Sequence, residues 1–156
     1  MANIEQLAIL RRGVVKWEFW RRQNAAIAPD LQEANFSGFH LEGVNLAGAN
    51  LHGANLRGAK LRLANLMGAD LAGANLEGCD LEGANLQGAV LLGANLCDGN
   101  LTDADLGNAN LIGVEFREAI ARRINLNGAN LRRGNFTRAN LSAVSLNQAN
   151  LSYANF

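Results

Sequence analysis

Large apolar residues recur at every fifth position from residue 31 to the end of the chain. The series runs from Leu31 to Phe156 without a slip in register, and of its 26 members 21 are Leu, four are Phe and one is Ala. We call these the centre positions. Ala usually stands two residues before a centre, Asn or Asp one residue before it, and Gly is frequent two residues after it, as around Leu51. Each pentad therefore repeats one order of apolar, polar and turn-forming residues.

A period of five excludes both a regular helix and a flat strand. On a helix, at about 100° per residue, successive centres would rotate by roughly 140° and wind around every face. On a strand they would alternate between the two faces. Glycine tolerates positive φ, and an Asn or Asp side chain can hydrogen-bond nearby backbone in a turn. The pattern therefore predicts a chain that turns in every pentad, with the centre and the small residue inward and the other three positions outward.

The repeated segment resembles a known family. The run GANLHGANLRGAKLRLANLMGADLAGANLEGCDLEGANLQGAVLLGANL is similar to the pentapeptide-repeat family, whose motif is A-(D/N)-L-x-x, and the resemblance covers about four-fifths of the chain. It implies an all-β solenoid, a right-handed quadrilateral β-helix with four pentads per coil; periodicity alone does not supply the number four. Twenty-six pentads would then make about six and a half coils, a rod roughly 30 Å long at the spacing of β-strands.

Residues 1–28 have no pentad pattern and are predicted to form a helical cap and linker ahead of the β-helix at 29–156. Asn3 can cap a helix that starts at Ile4, and Gly13 is a point at which this helix can divide. The apolar residues that follow at helical spacing are expected to share one face; these are Ile4, Leu7, Leu10, Val14 and Trp17. The motif LRRGVVKWEFWRR followed by PDL resembles the helical lead-in of bacterial, particularly cyanobacterial, pentapeptide-repeat proteins.

Two interpretations of this lead-in remain open. It can be a cap that covers the end of the leucine column with Leu10, Val14, Trp17 and Trp20. Alternatively, it can be a docking helix or a membrane-surface helix whose basic residues face the partner; these are Arg11, Arg12, Lys16, Arg21 and Arg22.

Charge and composition narrow the classes of partner. The formal net charge is zero, so we expect no long-range attraction of the whole molecule to nucleic acid or to an acidic membrane. No apolar stretch approaches the roughly 20 residues of a membrane span. Charges near the N-terminus lie inside and after the apolar residues, unlike those of a signal peptide, so we expect a cytoplasmic protein. Cys79 falls on an inward and Cys97 on an outward position, which predicts two free thiols rather than a disulfide.

The sequence offers no catalytic, cofactor or metal constellation. Gly58 is followed by Ala59 and Lys60, without the Lys-Ser/Thr pair of a phosphate loop. His40 and His52 are placed on different faces of a four-sided coil. We therefore expect a non-enzymatic structural or interaction module with an unknown protein partner and no cofactor. The alternative is a DNA-mimicking inhibitor of a type II topoisomerase, a role that the resemblance brings in from quinolone-resistance members. Acidic residues are concentrated at 70–105 and basic ones at 115–138. With four pentads per coil, residues twenty positions apart would stack, so Arg62 could pair with Glu42 or Glu82.

Departures from the repeat mark the candidate surfaces. Apolar residues replace polar ones in the middle coils, and the segment 120–124 breaks the pattern at four positions, for which a locally distorted coil is the simplest expectation. The candidate interaction surface comprises Val90, Leu92, Ile112, Ile120, Arg122 and Arg123. At the other end, the last residue of the sequence is itself a centre, so we expect the final coil to be an exposed association surface for a homodimer, formed by Leu146, Leu151, Tyr153 and Phe156.

Overall fold

Two short helices precede the repeat region. The computed structural model describes residues 2–156. Helix α1 is Ile4–Arg11 and helix α2 is Val14–Gln23. The Asn3 side chain accepts a hydrogen bond from the Gln6 backbone N–H at 3.1 Å, as predicted for the N-cap. Gly13 divides the helices with φ of 102°, a value that glycine adopts far more readily than other residues, so the predicted division is confirmed.

From Asp30 onward the chain coils with four pentads in each turn. Isolated parallel β-bridges join the residue before one centre to the residue twenty positions later, from Asp30–Asn50 to Asn135–Asn155. Because every bridge spans the same separation, the coil has four sides, and the number of pentads per coil agrees with the family resemblance. The β-structure consists of single bridge residues between turns rather than of longer strands. We number the sides by their first centres: side 1 from Leu31, side 2 from Phe36, side 3 from Leu41 and side 4 from Leu46.

The turns explain the polar part of the repeat. The Asn95 side chain accepts a hydrogen bond at 3.0 Å from the backbone N–H two residues later, and the Asn65 side chain does the same at 3.2 Å. The residue after that donor has a left-handed backbone, as at Gly48 with φ of 66°. Non-glycine residues share this conformation where the repeat lacks Gly, for example Asp98 with φ of 59°. An Asn before the centre and a Gly after it therefore together build the corner.

The centre residues form a continuous apolar column. Leu31 through Leu131 and their neighbouring small residues are essentially without exposure, and Trp17 from α2 joins the same buried cluster. Burial of one such leucine contributes about 1.5–3 kcal/mol relative to exposure. Consecutive coils contact one another across the whole column, so the column stabilises the stacking of the coils as well as each coil.

The coil stays in register through residues 120–124, so the expectation of a local distortion is wrong. Ile120 bridges to Asn100 on one side and to Asn140 on the other. Ala121 leaves less volume at the centre, but Ile124 occupies the following small-residue position and both side chains are fully buried. Both substitutions are thus accommodated within the buried column, and the backbone keeps its register.

Helices α1 and α2 cover the first coil. Trp17 is fully buried, and its indole N–H donates to the Asn45 carbonyl at 2.8 Å. Its ring stacks on Trp20 with 5.0 Å between centroids. Leu10 is also buried and Val14 is half-buried. Ile4 does not share this face: it is 78 % exposed. The break at Gly13 turns α1 relative to α2, so a spacing counted across both helices does not describe one face.

The backbone groups at the two ends of the coil differ in their hydrogen-bond partners. At the first coil, Gln6 accepts from the Asp30 N–H at 2.7 Å and Glu18 accepts from the Asn45 N–H at 2.8 Å. At the last coil, the backbone N–H groups of Leu151 and Tyr153 have no acceptor within residues 2–156, although the equivalent groups of earlier coils donate to the coil that follows. The helices thus replace a neighbouring coil at one end of the column.

Candidate interaction surfaces

Side 1 carries an apolar patch formed by Val90, Leu92 and Ile112. Leu92 is 39 % exposed, whereas Val90 and Ile112 are half-buried. Val90 and Leu92 flank the buried centre Leu91, and Ile112 lies one coil further along the same column. The next residue, Gly93, donates to the Ile112 carbonyl at 3.0 Å, which holds the two coils in place. We call these three residues the side 1 patch.

Glycines make the surface beside the side 1 patch flat and open. On side 1, glycine stands two residues after the centre, directly after the position of Leu92 and Ile112, in four successive coils. These glycines are Gly53, Gly73, Gly93 and Gly113. No atom lies within 4 Å of where a Cβ would stand on the last three of these. The main chain itself is therefore accessible next to Leu92, and a partner can approach it closely.

The other three residues of the predicted surface lie on side 3. Ile120 is 46 % exposed, and Arg122 and Arg123 follow it at outward positions. The Arg123 guanidinium donates two hydrogen bonds to the Asp103 carboxylate, at 2.6 Å and 2.5 Å. Side 1 and side 3 are opposite sides of a four-sided coil. The structure therefore does not bring the six predicted residues together but divides them into two separate patches.

Ion pairs between successive coils bring together the charges that the sequence segregates. Arg57 and Glu77 are 3.1 Å apart, Arg62 hydrogen-bonds Glu82, and Arg138 is 3.4 Å from Glu118. The hydrogen bond from Arg62 lowers the pKa of Glu82, and that from Arg123 lowers the pKa of Asp103. Acidic residues of the middle coils thus have basic partners twenty positions away, and the predicted pairing of Arg62 with Glu82 is confirmed.

The two cysteines are free, but both are buried. Cys79 points inward, its thiol donates to the Leu56 carbonyl at 2.8 Å, and burial raises the pKa of this thiol to about 12. Cys97 stands at an outward position yet is only 7 % exposed, so the expectation that it faces water is wrong. The pKa of the adjacent Arg117 is raised mainly by a hydrogen bond to the Cys97 side chain, and Glu115 raises it further. An outward position can therefore be buried, and Thr102 is a second example at 6 % exposure.

The histidines do not share a site. His40 lies 3.1 Å from Glu42, and His52 belongs to another side of the coil. Within residues 2–156, no group of three His, Cys, Asp or Glu side chains is arranged to hold a metal ion. Neither helix in this part of the chain has the length and apolar character needed to cross a membrane.

The final coil exposes large apolar side chains. Phe156 is 58 % exposed and stacks on Phe136 with 5.1 Å between the ring centroids. Leu151 is 39 % exposed and Leu146 is half-buried. Tyr153 is 81 % exposed, and the Arg132 guanidinium lies 6.0 Å from its ring centroid. The four residues predicted for a dimer end are thus close to one another at the end of the column.

One exposed apolar ridge was missed by sequence reasoning. Val15 and Phe19 of α2 are 83 % and 62 % exposed, although the apolar spacing was read only for the buried face of the helix. Their separation of four residues was the available signal, because residues i and i+4 of a helix lie on one side. We call Val15 and Phe19 the outer ridge.

These features define a repeat solenoid in which outward columns, rather than a cleft lined by reactive groups, present the side chains. The chain belongs to the pentapeptide repeat family. Its sequence matches the family described as pentapeptide repeats in eight copies, over residues 30–62, 64–103, 100–138 and 124–156. This match confirms the resemblance inferred from the motif. No curated protein matches the chain significantly.

Solved structures of similar fold include cyanobacterial pentapeptide repeat proteins. HetL from Nostoc sp. strain PCC 7120, involved in heterocyst differentiation regulation, is 28% identical over 79% of this chain and 74% of its own, with a TM-score of 0.50. A second protein from Nostoc PCC 7120 is 36% identical over 63% of this chain and 78% of its own, with a TM-score of 0.55. QnrB1, a plasmid-mediated fluoroquinolone resistance protein, is 21% identical over 81% of this chain and 74% of its own, with a TM-score of 0.66. At that identity, QnrB1 shares the fold alone.

Proposed function

We propose that this protein is a non-enzymatic scaffold that binds a partner protein through side 1 of its coil. The observation that carries the proposal is the exposure of Leu92 in the middle of the side 1 patch, next to open glycine backbone. Protein interfaces bury an apolar centre within a polar rim. On side 1 the rim consists of His52 and Asp70 toward the helices and Arg132 toward the last coil. We also assign the coil the right-handed sense that the family resemblance implies.

Rigidity supports this proposal. Backbone hydrogen bonds connect the Leu91 coil to both neighbours: Leu91 donates to Asn110 at 2.7 Å, and Val90 donates to Ala69 at 2.9 Å. A surface held in this way loses little conformational entropy when it binds, so a small apolar patch can contribute usefully to affinity. Side 3, with Ile120 and Arg122, is a second contact region under the same proposal.

Site-specific photo-crosslinking tests the role of side 1. A benzophenone amino acid is placed at position 92, at position 120 and, as a control, at outward Asn127 on side 4 in cells of the source organism. We expect one protein to be crosslinked from position 92 and not from position 127. Equal products from positions 92 and 127, or no product from 92, would reject side 1 as the binding surface. A product from position 120 alone would move the surface to side 3.

A second candidate function is DNA mimicry toward a type II topoisomerase, a role that the resemblance to quinolone-resistance members of the family implies. Mimicry requires a dense array of negative charge, because duplex DNA carries one charge per 1.7 Å or so of its axis. Here Glu77, Glu82 and Asp103 are each paired with an arginine, which reduces that array. We therefore favour the scaffold, and a gel supercoiling assay separates the two functions: dose-dependent inhibition at micromolar protein would establish the mimic.

We further propose that the final coil mediates a homodimer. The proposal rests on the exposure of Leu151 and Phe156 and on the unpaired backbone N–H groups beside them. Unpaired edges of β-structure add further strands readily, and a two-fold contact would cover both surfaces at once.

A further inference from the structure

Helix α2 has two sides, and the coil uses only one of them. Trp17 is buried against the first coil, Glu18 accepts from the Asn45 backbone N–H, and Arg21 donates to the carbonyls of Ile27 and Ala47 at 2.9 Å and 3.2 Å. At about 100° per residue, Phe19 lies nearly opposite Arg21 around the helix. The outer ridge of Val15 and Phe19 therefore points away from the coil, beyond its capped end.

Basic side chains flank the outer ridge on both edges. Arg12 and Lys16 line a groove of about 290 Å³ on one side of Phe19. Arg22 and Glu18 line a groove of about 320 Å³ on the other side. None of the three basic residues has an ion-pair partner within residues 2–156, unlike most of the arginines of the coil. Glu18 is the only acidic residue of α2, and its carboxylate is engaged with the first coil. The outward side of α2 is thus apolar along its middle and cationic along its edges.

We propose that the outer ridge binds the surface of a membrane that contains anionic lipids. Val15 and Phe19 would enter the boundary between headgroups and acyl chains, and Arg12, Lys16 and Arg22 would contact the lipid phosphates around them. This activity goes beyond the scaffold function and is independent of side 1, which α2 leaves uncovered. Arg21, which sequence reasoning grouped with the lead-in cations, is excluded from the contact because it is bonded to the coil.

The shape of the ridge favours a membrane over a protein groove. The apolar contact consists of two side chains on a convex helix, whereas a stable protein interface buries about 800 Å² on each partner. A fluid anionic surface needs no complementary shape and offers negative charge to both edges of the ridge at once. The resulting binding is weak and reversible, and it weakens with salt because exposed charges are screened beyond about 8 Å at physiological ionic strength.

Vesicle co-sedimentation tests the proposal with the full chain. One set of vesicles contains phosphatidylcholine alone, and the other contains phosphatidylcholine and phosphatidylglycerol in equal parts. We expect the protein to sediment with the second set only, and less as salt is raised. Phe19→Glu should lower the partition coefficient by about tenfold or more, since it replaces the inserted aromatic by a charge of the same sign as the lipids.

Matched variants on the coil distinguish loss of binding by the outer ridge from the effect of adding negative charge elsewhere on the protein. Met67 is 48 % exposed on side 4, so Met67→Glu makes an equivalent apolar-to-acidic change elsewhere and should leave sedimentation unchanged. Lys16→Glu should reduce sedimentation, whereas the same charge change at exposed Lys60 should reduce it much less. Melting curves show that each variant is folded.

Three results would overturn the membrane proposal. These are no sedimentation with the anionic vesicles, equal sedimentation with both sets, and equal loss for Phe19→Glu and Met67→Glu. If vesicles are not bound but a photo-crosslinker at position 19 captures one protein in cells, the ridge binds an acidic protein groove instead. None of these results bears on the scaffold function, which depends on the product from position 92.

Discussion

At the scale of single residues, each side chain contacts the residues twenty positions before and after it, which lie in the neighbouring coils. Leu76 is fully buried in its column between Leu56 and Leu96, which are also fully buried. Leu76→Asn would remove packing contacts and leave an amide without partners in an apolar column. We expect a loss of at least about 4 kcal/mol in the free energy of unfolding, or failure to fold. Thermal and urea unfolding of the purified variant measure this.

Arg57→Ala, one coil earlier on the same side, is the control for this substitution. The Arg57 side chain is 63 % exposed and its ion pair with Glu77 is at the surface. Exposed pairs contribute less than about 1 kcal/mol. If Leu76→Asn and Arg57→Ala melted at the same temperature, the assignment of inward and outward positions would be wrong.

The buried thiol of Cys79 predicts a dependence of stability on pH. Burial raises the pKa of this thiol from 9.0 to about 12. Because the folded-state pKa lies above the unfolded-state value, the protonated thiol favours the folded protein, and the free energy of unfolding should fall between pH 9 and pH 12. Urea unfolding at about pH 8 and about pH 11 should show a larger decrease for the natural protein than for Cys79→Ala. An equal decrease in both proteins would show that Cys79 titrates normally.

At the scale of elements, α1 and α2 pack on the first coil in the place that a preceding coil would occupy. Trp17→Ala would open a cavity beneath α2 and remove the hydrogen bond to Asn45. We expect a loss of about 3–5 kcal/mol. Hydrogen exchange should increase first at the N–H groups of residues 30–50. Phe19→Ala, which truncates an exposed aromatic of the same helix, should change stability by less than about 0.5 kcal/mol. Similar losses for both would contradict the assignment of the buried face.

The repeat itself was predictable, and so was the pairing of Arg62 with Glu82 once four pentads per coil were assumed, but other contacts between coils were not. The centre, small-residue and turn positions can be assigned from a single pentad, because Asn and Gly form each corner through local hydrogen bonds and backbone angles. The break between the helices at Gly13 is local in the same way. The number of pentads per coil came from the resemblance, since a period of five does not contain it. The burial of Cys97 and the pairing of Arg123 with Asp103 depend on residues twenty positions away. Ile4 was misassigned because the turn at Gly13 changes the face of α1.

At the scale of the whole molecule, the difference between the two ends of the column predicts a two-fold dimer through the final coil. The helices cover one end of the column, while Leu151 and Phe156 are exposed at the other. Light scattering at micromolar protein should give about twice the monomer mass of 16.6 kDa. Phe156→Asp should lower this mass toward that of the monomer, because two such carboxylates would repel across a two-fold contact. A monomer at every concentration, unchanged by the substitution, would exclude the dimer.

Every surface assigned to this protein depends on the twenty-residue coil, and paired cysteines test that coil most directly. Adjacent coils are about 4.8 Å apart, within the range of about 4.4–6.8 Å that a disulfide spans between Cα atoms. The test uses a background in which Cys79 is replaced by Ala and Cys97 by Ser. In that background, cysteines at positions 52 and 72, both on side 1, should form a disulfide on mild oxidation. Cysteines at positions 52 and 67, on sides 1 and 4, should not. A disulfide between 52 and 67 without one between 52 and 72 would mean three pentads per coil and would contradict the account.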